Sequence, residues 1–190
     1  MSNNPTNEFS TNLIQGSTIV LEYYEPITSD EGIIKISKVI HGYIDIFGFN
    51  SRGLGDAAAC NLDANCDSTV LWQNWDNEKK AVCLIIFGEF CGSGCLINNT
   101  SQNFTPYILT ARHNFFDDVN YGSIPDLNIG TAIFTFHYLR PNCGSGSPVN
   151  AQSISGAALK AQHRPTDVFY LNLIREYLQV MMFIMRVGIE

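Results

Sequence analysis

The sequence predicts an all-β protein built around one antiparallel β-barrel, with a short polar segment ahead of it. Three observations carry that expectation. Charged residues make up only 15% of the 190 residues, well under the usual quarter. Phe, Tyr, Ile, Val, Thr, Asn and Gly are plentiful, a composition suited to pleated, half-buried surfaces and to turns. From Trp72 onward, short apolar or alternating runs recur between Asn/Gly/Pro loops, about six in all.

Residues 1–52 differ in character from the rest. After a polar start, Ser17-Thr-Ile-Val-Leu-Glu-Tyr-Tyr24 is a strand by its β-branched and aromatic content. Glu25-Pro26 ends it, Ser29-Asp-Glu-Gly32 makes a turn, and a second strand starts over 32–40. Two strands and a turn do not make a stable domain alone. Asn50-Ser-Arg52-Gly53-Leu-Gly55 then reads equally as a proteolytic processing site or as a glycine loop between strands.

Within 53–173, Lys80-Ala-Val-Cys-Leu-Ile-Ile-Phe87 is continuous and apolar, as for a strand buried on both faces. Cys95-Leu-Ile and Tyr107-Ile-Leu-Thr follow, Gly130-Thr-Ala-Ile-Phe-Thr-Phe-His-Tyr138 alternates more cleanly, and Ser155-Gly-Ala-Ala-Leu-Lys-Ala and Val168-Phe-Tyr-Leu-Asn-Leu173 complete the set. Residues 174–190 have better helix formers, among them Glu176, Leu178, Gln179 and Met181. A helix covering an exposed sheet edge and an out-of-frame tail are both compatible with that stretch.

A net charge of −7 with no run of Lys or Arg argues against nucleic acid as a partner. The apolar tail is short and broken by charge, below the length needed to span a bilayer, so no membrane partner is expected. Six cysteines in a Thr/Asn/Gly-rich β-protein point to an oxidising compartment. Cys91-x3-Cys95 has no second Cys or His pair at ligand spacing, so no metal is expected, and no cofactor motif is present.

The chemistry lies in two strand ends. Pro106-Tyr-Ile-Leu-Thr-Ala-Arg-His113 runs an apolar strand into a histidine, which is how a rigid element delivers a general base to the rim of a site. Pro165-Thr-Asp167-Val-Phe-Tyr-Leu-Asn-Leu173 sets an aspartate at the mouth of a second strand, where a buried carboxylate can orient an imidazole. His113 and Asp167 are therefore the candidate catalytic residues. His41, His137 and His163 read as structural. The sequon-like Asn98-Asn-Thr100 and Asn103-Phe-Thr105 read as polar loop.

At these residues the chain resembles the trypsin-like serine proteases of the lysyl endopeptidase (Achromobacter protease I) type, in the form found in marine Bacteroidetes. The matching pieces are Ile36-Ser-Lys-Val-Ile-His-Gly-Tyr43, Cys60-Asn-Leu-Asp-Ala-Asn-Cys66, Gly94-Cys-Leu-Ile-Asn-Asn-Thr100, Tyr107-Ile-Leu-Thr-Ala-Arg-His113, Phe136-His-Tyr138 with Cys143, and Thr166-Asp167. They occur in the family's order.

The resemblance implies the first barrel of a chymotrypsin-like two-barrel fold. Residues 1–52 would be the end of a pro-segment, 53–173 the N-terminal half of the protease domain, and 174–190 a tail unlike the family. It implies a secreted enzyme that cuts polypeptides after basic residues, with lysine the favoured one. Cys66 would pair with Cys143, and Cys60 would pair with a cysteine of the second half. The family carries a cysteine after the catalytic histidine that bridges to the position of Cys95. Here Asn114 stands there, which leaves Cys83 or Cys91 as alternative partners for Cys95, or none.

In that family the nucleophilic serine follows the aspartate, in the second barrel. Only 17 residues follow Leu173, against roughly 80 for six strands with their turns. The expectation is a truncated protease, inactive alone, whose exposed barrel face favours self-association. No signal peptide follows Met1. Cys91-Gly-Ser93-Gly-Cys95 and Asn142-Cys-Gly-Ser145-Gly-Ser147-Pro148 offer serines, but the second lies between the His and the Asp, where the family has a surface loop. A reading of a different class is a non-catalytic β-module, either a pseudoprotease or a binding domain that kept the barrel for its core.

Overall fold

A computed structural model describes residues 8, 10, 11, 13, 14, 16–22, 32–41, 62–66, 75–88, 90–116, 128–146, 148 and 151–173. One short helix, α1 (Asp76–Ala81), leads into seven strands: β1 (Val82–Phe87), β2 (Phe90–Ile97), β3 (Tyr107–Ala111), β4 (Ile133–Phe136), β5 (Gln152–Ser155), β6 (Ala157–His163) and β7 (Val168–Leu173). They form one sheet in the order β5-β4-β1-β2-β3-β7-β6, and every pairing is antiparallel.

The connectivity forces this sheet to curl. β5 and β6 lie at its opposite edges, yet only Gly156 separates them in the chain, so the two edges must approach each other there. Gly156 supplies the corner at φ 93°, and its N–H donates to Ala132 O at 2.8 Å. A glycine at a sharp bend of a rolled sheet is the expected device. The run expected as one strand over 155–161 is therefore two strands, broken where the sheet turns its corner.

Burial follows the two-residue period of a pleated sheet. On β7 the inward residues are Phe169, Leu171 and Leu173, and the residues between them are more exposed. On β4 all four residues are buried. Cys83, Ile85, Ile108, Phe134, Phe136 and Phe115 complete the interior, with Phe115 stacked on Phe169 at 4.9 Å between ring centroids.

Several boundaries differ from expectation for identifiable reasons. Lys80 and Ala81 belong to α1, whose first turn holds Asp76 and Glu78 and whose last turn holds Lys79 and Lys80, the charge order that suits a helix dipole. β4 stops at Phe136 because His137 takes φ 56°. The two N-terminal strands are a correction. Residues 17–22 and 32–40 belong to no described strand, and Val20 and Ile33 are 87% and 81% exposed. β-propensity reflects packing against neighbouring strands, and β-branched content alone does not supply a ladder partner. Residues 23–30, 42–61 and 174–190 lie outside the described residues, including the expected processing site and the expected tail helix. No described helix is long and apolar enough to cross a membrane.

Candidate active site

β3 and β7 are neighbours, and their last ladder pair is Ala111 with Val168. Immediately after β3 the chain enters a 3-10 turn, Arg112–Asn114. Immediately before β7 it leaves another, Arg164–Thr166, capped by Asp167. The end of one antiparallel ladder therefore places residues 113 and 167 side by side although 54 positions separate them.

The contact is two-pronged. The His113 backbone N–H donates to Asp167 Oδ1 at 2.9 Å, and His113 Nδ1 lies 2.5 Å from Asp167 Oδ2. The Arg112 N–H donates to Asp167 O at 2.8 Å, so main chain and side chain hold the same junction. Asp167 sits in the left-handed region at φ 53°, ψ 32°, which Asp tolerates better than most residues. Its N–H donates to Arg164 O at 3.1 Å, and the turn before it is tied by His163 Nδ1 against Thr166 Oγ1 at 2.8 Å. His163, read from sequence as structural, braces the aspartate's turn.

The electrostatics follow from these bonds. The His113 ring hydrogen bond holds the Asp167 carboxyl below its ordinary 3.8; burial opposes it, and the backbone N–H of His113 assists. An ionised carboxylate only accepts hydrogen bonds, so the proton between them belongs to Nδ1 and the basic nitrogen of neutral His113 is Nε2. That tautomer can take a proton from a hydroxyl and return it to a leaving group. The expected burial of the aspartate is a correction, because the Asp167 side chain is 47% exposed and that of His113 is 63% exposed. Asp167 ends a surface turn, and its fixing is done by hydrogen bonds.

Among the described residues no serine is hydrogen-bonded to His113 or Asp167. Ser93 lies within β2 opposite Leu84. Ser145 pairs with Asn142 in an isolated bridge beside Cys143. Both His113 hydrogen bonds, from ring and backbone, run to Asp167, and Ser147 lies outside the described residues. His137 follows β4, and His41 is exposed and in no described strand. No group of His, Cys, Asp or Glu among the described residues could hold a metal ion.

Cys66 and Cys143 form a disulfide, the pairing that the resemblance implies. Cys83, Cys91 and Cys95 are free thiols, and Cys60 lies outside the described residues. The residue facing position 114 is a further correction. Along β2 the buried face carries Gly94 and Leu96, in phase with Gly92, whereas Cys95 is out of phase with its Sγ 3.3 Å from Leu96 O. Gly92, and not Cys95, packs against Asn114. Sequence reasoning missed this contact; its one signal was a glycine at an inward position of a strand.

The rolled antiparallel sheet is consistent with a chymotrypsin-like barrel, the fold of the trypsin-like serine proteases. The family model described as "Lysyl endopeptidase, C-terminal domain" matches residues 54–184. The chain belongs to that lysyl endopeptidase family. No curated protein matches it.

Proposed function

We propose that this chain supplies the base and the orienting acid of a secreted serine endopeptidase that cuts polypeptides after basic residues, lysine above all. His113 accepts the proton of the serine hydroxyl as it attacks the peptide carbonyl and passes it to the departing amine. Asp167 fixes the tautomer and stabilises the imidazolium in between. The observation that carries the reading is the two-pronged contact of His113 with Asp167, through ring and backbone, at the end of the β3–β7 ladder. The preference for lysine rests on the family's description.

The nucleophile in this reading lies outside the described residues, and the 190-residue chain alone performs no triad-dependent proteolysis. The test is a fluorophosphonate probe applied to the purified, folded chain, followed by peptide mapping. The expected result is no labelled serine. Labelling of Ser145 or Ser147 that disappears in His113→Ala would overturn the assignment of the nucleophile and reveal a hydrolase with a different triad order.

A further inference from the structure

We infer that Asn114 is the positioning residue of this site, locking the turn that carries His113 onto β2 across Gly92. The inference rests on the proposed role of His113, and it deepens that reading.

The three residues of the turn divide their labour. Arg112 and Asn114 are 9% and 8% exposed, while the His113 side chain between them is 63% exposed. Arg112 is anchored toward the far edge of the sheet, with Nε donating to Gln162 Oε1 at 3.1 Å and its guanidinium 3.9 Å from the centre of the Phe116 ring. Asn114 is anchored on the opposite side. Its Nδ2 donates to Thr110 Oγ1 at 2.9 Å and reaches Ser93 O at 3.4 Å, and Thr110 Oγ1 donates to the same Ser93 O at 2.7 Å. The result is a closed, partly buried, three-member network that ties the turn to the strand before it and to β2.

Gly92 makes that network fit. Its backbone is not among those with positive φ, so no conformational demand explains a glycine there, and glycine weakens a strand interior. Space explains it. A β-carbon built on residue 92 would overlap the Asn114 carboxamide, far inside the 3.0 Å that real β-carbons keep from their neighbours. The carboxamide occupies the volume that any other residue 92 would fill. Buried side-chain networks of this kind rigidify a site when every member is satisfied. A base held by its buried neighbours keeps its geometry while its own ring stays exposed to react.

The test uses NMR on the intact 190-residue chain and needs no activity. Two readouts are followed: the titration midpoint of the Asp167 carboxyl and the hydrogen exchange of the His113 amide. In Asn114→Ala the Asp167 midpoint should climb back toward 3.8, and the His113 amide should exchange roughly tenfold faster or more, while amides of β1 and β4 keep their protection. Thr110→Val, which keeps the shape and removes the hydroxyl, should act in the same direction and serves if Asn114→Ala does not fold. Because residues 92 and 114 already meet side chain to backbone, Gly92→Cys with Asn114→Cys should cross-link on oxidation and restore both readouts.

An unchanged Asp167 midpoint together with an unchanged His113 amide in a folded Asn114→Ala or Thr110→Val chain would overturn the positioning role. That outcome leaves the His113–Asp167 pair intact. A wild-type chain whose Asp167 titrates at its ordinary value would instead remove the pair itself, so the two failures are distinguishable.

Discussion

The limb of the sheet formed by β1 and β4 and the rim where β3 and β7 end are held by different physics. On the limb, Phe134, Phe136, Ile85 and Cys83 are almost fully buried and each position is fixed by volume. At the rim, His113 and Asp167 are half exposed and are fixed by hydrogen bonds and by buried neighbours on either side. Close packing places a side chain by leaving it nowhere else to go. A reactive group cannot be placed that way, because it has to meet a substrate. The rim solves the problem by burying residues 112 and 114 and leaving 113 free.

The comparison breaks most severely on the limb. Phe134→Ala removes a fully buried ring from the middle of β4, and its expected cost is about 3–5 kcal/mol in a urea unfolding experiment. Leu159→Ala on the edge strand β6, where Leu159 is 39% exposed, should cost less than about 1 kcal/mol. Equal losses at the two positions would mean that β6 is packed by something outside the described residues.

At the rim a smaller effect of different character is expected. Asp167→Asn removes an exposed carboxylate hydrogen-bonded to His113 and should change stability at neutral pH by under about 1 kcal/mol. Its signature is the pH dependence. The native carboxyl titrates below 3.8, so on acidification the unfolded chain takes up this proton first. The contribution of the pair is then complete above the ordinary carboxylate value and is lost as pH falls through the lowered native one. Unfolding midpoints of wild type and Asp167→Asn, measured down the acid range, should converge there. Parallel curves would show that the carboxyl is not coupled to folding.

The same contrast decides what could be read from sequence. β3 and β7 were legible because apolar alternation ran straight into a polar residue, and an antiparallel ladder brings two such ends together. His113 and Asp167 followed from that. The start of β2 was not legible, since Cys91-Gly-Ser-Gly carries no apolar period. The N-terminal runs were over-read because β-branched content says nothing about whether a partner strand exists. The break at Gly156 was hidden inside an apparently continuous run. The lock on Asn114 was invisible for a deeper reason: its counterpart on β2 is the absence of a side chain, and an absence has no pattern until the backbone is in place.

The smallest effects belong to the three free thiols, which sample both depth and face of the β1–β2 hairpin. Burial pushes the Cys83 thiol up to about 12, and it also raises Cys91 and Cys95. With all three raised, access orders the reaction. A maleimide at mildly alkaline pH should modify the exposed Cys91 first, then the half-buried Cys95, and Cys83 only as fast as the chain unfolds. Peptide mapping against time reads the order directly. Raising the pH adds a second check. The unfolded Cys83 thiol ionises near 9.0 and the native one near 12, so its burial stabilises fully below 9.0 and that contribution fades as pH rises toward 12. Modification of Cys83 at the rate of Cys91 would mean that β1 and β2 separate without global unfolding.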